Sequence, residues 1–391
     1  MSAAAEVADF DDPVEARVPG DERAIRAALL RVASPGGEAA RIAAERGPAA
    51  AWAWIGEQAV AGGHVLPDPG AELAAGTDAG ARLVVPGDGE WPYGLADLTG
   101  TGPMGSGTGG APFGLWVRGP VRLDETCTRS VAVVGARASS EYGNWVAAEL
   151  AAGLVERGVT VVSGAAFGID ASAHRGTLAV DGTTVAVLAG GIDVPYPRAH
   201  ARLLDRIAST GLVVSEAPPG RAPRREAFLV RNRLIAALSR GVVLVEAGLR
   251  SGARNTAAHA AALGRPRMAM PGPVTSASSA GCHALLRADP EARLVTNAAE
   301  VVEEIGRLGE DLAPVHAGPA DPRDGIGRAE RAVLDVMPTR RTVTPGWLAA
   351  ELNIAVSEVV ALTARLADRD LLAVRPGGYQ LTARARAPTR R

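Results

Sequence analysis

The sequence predicts an α/β protein built on a doubly wound parallel sheet, preceded by a small helical region and followed by a winged-helix-like module. Three observations predict it. From Ser130 onward, short β-branched runs at 131–134, 159–162, 184–188, 212–215, 242–245, 267–270 and 293–296 alternate with stretches of helical periodicity. Each run is apolar nearly throughout, as a strand covered on both faces must be. Between the first two runs lies a clear helix. Ser140 suits its N-cap, Val146, Leu150 and Leu154 line one face, and Gly158 suits its end. Strand, helix and strand at this rhythm give a parallel sheet.

Taken in order, residues 1–85 form the small helical region. Apolar residues recur at helical spacing over 23–32 and 38–46, interrupted at Pro35-Gly36-Gly37 and Gly47-Pro48, and Trp52, Trp54 and Ile55 are expected to pack it. A Gly-rich stretch at 100–112 reads as a loop or linker within the core, which spans 86–310. Residues 311–325 hold Pro314, Gly318, Pro319, Pro322 and Gly325 and read as an interdomain linker. In 326–391, helices are predicted near 328–337, 345–352 and 357–368, with a turn at Asn353. A hairpin over 371–381, tipped by Gly377-Gly378, and a basic tail with Arg384, Arg386, Arg390 and Arg391 complete the module. Helix-turn-helix plus hairpin is the winged-helix order.

A chain of 391 residues is expected to hold two or three domains. Apolar residues make up 47% and aromatics 4%, so the core rests on Ala, Val and Leu. All 41 basic side chains are arginine, which excludes a P-loop lysine and a Schiff-base lysine. The net charge of −2 confines any nucleic-acid site to a local patch. Cys127 and Cys282 are far apart and form no CxxC, which argues against a disulfide framework or a zinc site, and no metal or cofactor is expected. The start of the chain lacks the pattern of a signal peptide, and no run of about 18 apolar residues is present, so a soluble cytoplasmic protein is expected.

Ligands of open α/β sheets bind outside the carboxyl ends of the strands. There the sequence places Gly135-Ala136-Arg137, then Ser163, Gly164 and Gly168, then Gly190-Gly191, and finally Glu246 with Ser251, Gly252 and Arg254. Small residues let backbone N–H groups approach an anion. Gly135-Ala136-Arg137 lacks the dinucleotide fingerprint, and an arginine in that turn suits a phosphate on an external strand. Arg221, Arg224, Arg225, Arg231 and Arg233 cluster before the fifth core strand, with Phe228 and Asn232 among them. Arginines neutralise phosphates, and an aromatic ring gives a base a stacking face. Asp170 and His174, four residues apart, are the one pair with a catalytic look, and a hydrogen bond fixing a helix start is the expectation for them. Ser163 lacks the nucleophile elbow.

These blocks resemble the DNA-processing protein A (DprA/Smf) family. The resemblance runs over roughly residues 85–305. It rests on Val133-Val134-Gly135-Ala136-Arg137, Ser163-Gly164-x-Ala166-x-Gly168-Ile169-Asp170, Gly190-Gly191-Ile192-Asp193 with Tyr196-Pro197, Phe228-x-x-Arg231-Asn232-Arg233, and Glu246-Ala247 with Ser251-Gly252. Leu229 departs from the usual proline, Arg254-Asn255 from two apolar residues, and Gly281-Cys282-His283 from a common Gly-x-Asn. The resemblance implies an extended Rossmann-like domain that binds single-stranded DNA in a basic pocket, dimerises, and helps load the RecA recombinase in natural transformation, with no catalytic centre. The residues expected to bind DNA are Gly135, Arg137, Ser163, Gly164, Gly168, Phe228, Arg231, Asn232, Arg233, Ser251, Gly252 and Arg254. Arg137, Arg231 and Arg233 are expected to share one cleft.

Two other readings fit less well. A nucleotide phosphoribohydrolase of the related lysine-decarboxylase-like group would carry Gly-Thr-x-x-Glu after Gly190-Gly191, and none follows. A transcription factor would carry more base-reading side chains than Ser357, Glu358, Arg365 and Asp368 on its recognition helix.

Overall fold

A computed structural model of the chain describes residues 20–99, 109–307, 310–314 and 322–386. Residues through Ala313 form one compact unit and those from Pro314 onward a second. Part of the Gly-rich stretch (100–108), part of the linker (315–321) and the end of the tail (387–391) lie outside the described residues.

The first unit is organised by a nine-stranded sheet. Its strands are β1 (Arg82–Val84), β2 (Leu115–Arg118), β3 (Ser130–Val134), β4 (Thr160–Ser163), β5 (Thr184–Leu188), β6 (Leu212–Ser215), β7 (Val242–Leu244), β8 (Arg267–Ala269) and β9 (Arg293–Leu294). All seven predicted runs are strands, and β3 to β9 pair in parallel. The order is β1-β2-β6-β5-β4-β3-β7-β8-β9. The chain steps outward from β3 through β6, then returns to place β7 on the other side of β3. That reversal makes the carboxyl ends of β3 and β7 the topological switch point, where a crevice opens.

Two antiparallel strands that the sequence did not signal extend the sheet. β1 pairs with β2 through Leu83 opposite Trp116, and β2 pairs with β6 through Val117 opposite Val214. The four helices Gly20–Val32, Glu38–Arg46, Pro48–Gly62 and Pro69–Asp78 lie against this end of the sheet. Their Leu29, Ile42 and Ile55 share one core with Phe113, Trp116, Leu188, Leu204, Ile207 and Val213. Gly76 is bare because the Trp116 ring occupies the place of a side chain. Residue 85 is therefore not a break in packing, and the helical region is a layer of the first unit rather than a separate core.

The helix Glu141–Val155 starts as its sequence predicts, with Ser140 Oγ accepting from the Gly143 N–H at 3.0 Å. Glu246, at the end of β7, fixes this start. Its carboxylate accepts from the Ser140 N–H (2.8 Å), from Ser140 Oγ (2.6 Å) and from Ser278 Oγ (3.0 Å). A side chain on Gly143 would collide with that carboxylate. Glu246 is thus spent on the scaffold of the switch point.

The second unit has helices Arg328–Val336, Pro345–Leu352 and Val356–Asp368, then a hairpin of β10 (Leu372–Arg375) and β11 (Gly378–Leu381). Asn353, at φ 52°, caps the middle helix in the left-handed conformation, and the chain turns through 108° into the next helix. Val333, Leu334, Leu348, Val359, Leu362 and Leu366 make its core. Ala383–Arg386 adds a short helix where the sequence suggested only a tail. Among the described residues, no single helix is long and apolar enough to cross a membrane.

Candidate nucleic-acid interface

At the switch point lies a cleft of about 960 Å³. Its lining includes Gly135, Arg137, Asp170, Tyr196, Arg225, Phe228, Arg231, Asn232, Arg250, Ser251 and Gly252. Four arginines thus face one buried carboxylate, so the cleft is a local basic patch on a nearly neutral chain.

Glycines let the walls close. A Cβ on Gly135 would stand 2.5 Å from Ile169. Gly168 has φ +78°, and its Cβ would meet the carbonyls of Ala136 and Arg137. Gly164 is bare because the Arg231 guanidinium lies flat on it, with Nη1 and Nη2 both 2.5 Å from where a Cβ would stand.

Arg231 is the electrostatic centre. It is 6% exposed and projects from the helix Arg225–Ala237. Its Nη1 donates to the carbonyls of Gly164 (2.9 Å) and Val187. Its Nε has no hydrogen-bond partner, and no carboxylate lies within ion-pair distance of it among the described residues. Burial pushes its pKa down to about 10, opposed by the charge of Asp170. Asp170 is also buried, and burial raises its carboxyl above the usual range, opposed first by Arg231 and then by backbone N–H groups. Its Oδ2 accepts from the N–H of Gly164 at 3.1 Å. The Arg231 guanidinium thus places a buried positive charge along the cleft, with one N–H, itself sealed from solvent, left without a partner.

The rim is aromatic and cationic. The exposed Arg137 guanidinium sits 4.7 Å from the centroid of Phe228, and Tyr196 stacks at a tilt 5.3 Å from the same ring. Asn232 Nδ2 donates to the Gly252 carbonyl and to Asn255 Oδ1, each at 3.3 Å, and so ties the cleft to the start of the helix Ala253–Ala262. No side chain caps that helix at Gly252, and open space surrounds the glycine.

Of the twelve residues proposed from sequence, the cleft brings together Gly135, Arg137, Phe228, Arg231, Asn232, Ser251 and Gly252, with Gly164 and Gly168 shaping its wall. Three stand elsewhere. Ser163 is fully buried and its hydroxyl donates to the Val133 carbonyl at 2.7 Å. Arg254 donates to the Leu249 carbonyl at 2.6 Å and borders a different cavity. Arg233 is fully buried and pairs with Glu216 at 2.7 Å, so the three arginines do not share one cleft. Arg221 also turns away, onto the Arg31 carbonyl. His174 does not bond Asp170. Its Nδ1 meets Thr184 Oγ1 at 2.8 Å, and burial pushes its pKa down to about 3, so the ring is neutral. Tyr196, Arg225 and Arg250 also line the cleft; Arg225 stood in the arginine cluster, but none of the three was among the residues expected to bind DNA. Tyr196 sits in a quoted motif block, which was the available signal.

Comparison with known proteins adds four findings. Residues 82–306 match the family model described as DNA recombination-mediator protein A. A putative DNA processing protein DprA from Mycobacterium tuberculosis is 50% identical over 303 residues, covering 77% of each chain. The DNA processing protein DprA of Streptococcus pneumoniae is 42% identical over 194 residues, covering 50% of this chain and 67% of that one. The X-ray structure of DNA processing protein A from S. pneumoniae has a TM-score of 0.52 at 38% identity, covering 57% of this chain and 74% of that chain.

Proposed function

Because the chain belongs to the DNA recombination-mediator protein A (DprA/Smf) family, we propose that it is a DNA-processing protein whose switch-point cleft binds single-stranded DNA. In this reading it protects incoming DNA and helps load the RecA recombinase, acting as a homodimer through the sheet-bearing unit and without a catalytic centre. The observation that carries it is Arg231: a buried guanidinium with an unspent N–H, at the floor of a cleft rimmed by Arg137, Phe228 and Tyr196. A phosphate would be drawn to the positive charge at the floor, and the rings would meet splayed bases, which a duplex keeps stacked. The second unit serves as a winged-helix-like accessory module.

The test is a mobility shift with single strands and duplexes at two salt concentrations. Single strands bind more tightly and without sequence preference, with a log–log salt slope of about −0.7 per neutralised phosphate. Equal duplex affinity or a flat salt response refutes the reading. Release of base from AMP would instead indicate a phosphoribohydrolase.

Three further outcomes follow from the same assay. Arg137→Ala weakens all sequences alike and makes the slope shallower by roughly one phosphate's worth. Phe228→Ala costs about 1–3 kcal/mol of binding. A chain lacking residues 314–391 keeps its single-strand affinity, because the cleft lies wholly within the first unit. Loss of binding in that folded truncation would move the site to the second unit.

A further inference from the structure

Phe167 lies on the turn between β4 and the helix Ile169–Ala179, and nothing above assigns it a task. It is 48% exposed in a chain with few aromatic residues. Its turn is held out of the ordinary backbone regions. Ala165, fully buried, has φ +54°, a left-handed conformation that disfavours any residue with a Cβ. Gly168 closes the turn at φ +78°. The strain is kept in place by His200, whose Nδ1–H donates to the Ala165 carbonyl at 2.9 Å. The same imidazole supports the phenyl ring edge-on, with centroids 4.7 Å apart and planes at 65°. Backbone strain persists where surrounding structure over-determines it, and such places cluster at ligand sites.

The turn abuts the cleft. Ala166 is part of its lining, and Gly168 packs on the backbone of Arg137. His200, under Phe167, lies four residues beyond Tyr196, which stacks on Phe228. Phe167 therefore sits on a turn that borders the cleft, next in sequence to the lining residue Ala166, while Phe228 holds the Arg137 guanidinium. We propose that Phe167 is a second stacking platform, which takes another base of the same single strand bound in the cleft. This rests on the single-strand reading of the cleft. A nucleobase fits better than a protein partner because a protein-docking patch is contiguous and apolar. Phe167 instead is a lone exposed ring flanked by Ala166 and Gly168.

The test is fluorescence anisotropy of labelled oligo-dT, from about 4 to about 20 nucleotides, with the full-length protein. Phe167→Ala binds the longest oligomer roughly tenfold more weakly, the deficit growing with length until the footprint is filled. Phe167→Tyr keeps the parent affinity, whereas Phe167→Leu, which retains packing on His200 but has no π face, behaves like Phe167→Ala. Parent-like binding by Phe167→Ala at every length, with Arg137→Ala and Phe228→Ala still impaired, overturns the platform and leaves the cleft standing. Parent-like binding by all three overturns both. Unchanged DNA affinity with reduced RecA loading assigns the ring to a protein contact and also overturns the platform.

Discussion

Arg233→Ala is expected to lose about 3–5 kcal/mol of stability in a denaturation experiment, the cost of leaving one partner of a buried ion pair uncompensated. Arg233 has no exposed surface. It donates from Nη2 to Glu216 at 2.7 Å and from Nε to the Gly110 carbonyl at 3.0 Å. Its removal strands the carboxylate at the end of β6 beneath the helix Arg225–Ala237. The folded fraction should still bind single-stranded DNA, because the residue does not border the cleft. The companion Glu216→Leu with Arg233→Met removes both charges and should recover most of the loss. A stable Arg233→Ala variant with impaired DNA binding would place this arginine at the DNA after all.

Arg231→Gln is expected to show the opposite pattern, a large loss of binding in a protein that still folds. Hydrogen bonds to a charged group contribute about 1.5–3 kcal/mol, so affinity for single strands should fall roughly 10- to 150-fold. The substitution also has a pH signature. Asp170 already has its carboxyl pKa raised by burial, and Arg231 is the largest influence opposing that rise. Without the guanidinium, the pKa climbs further. A carboxyl whose folded pKa exceeds its unfolded value favours folding while protonated, and that contribution disappears as pH rises through the folded pKa. The stability deficit of Arg231→Gln should therefore be larger near pH 8 than near pH 5, measured by denaturation at both. A deficit independent of pH would show that Asp170 and Arg231 are not coupled.

The contrast between these two arginines explains what was legible in the sequence. Six parallel strands announced themselves because burial on both faces leaves a largely apolar run, whereas β9, an exposed edge strand of two residues, has no such burial behind it. β1 and β2 are no shorter than β7 to β9, but they precede Ser130, where no alternation of strand and helix marks them out. In the site, the arginine cluster was visible but its orientation was misjudged. Residues two apart on a helix point about 200° apart, so Arg231 and Arg233 cannot face the same way. Arg225, Phe228, Leu229 and Asn232, at spacings of three and four, share the face that lines the cleft. That face was readable from periodicity alone once the helix was placed. The fate of Ser163 and Arg254 was not readable, because each is decided by a carbonyl made available through tertiary packing.

The shared core of the N-terminal helices and the sheet bears on the order in which a nascent chain can mature. Leu29, Ile42 and Ile55 leave the ribosome well before much of the surface that covers them, which includes Leu188, Leu204, Ile207 and Val213. About 150 residues separate the end of the third helix from Val213. At synthesis rates of about 5–20 residues per second, the early helices wait roughly 8–30 s for their complement. Throughout that interval their apolar stripes are open to hydrophobic-binding chaperones. A fragment ending before β5 should accordingly remain chaperone-bound in a translation extract, and one extending through β6 should be released.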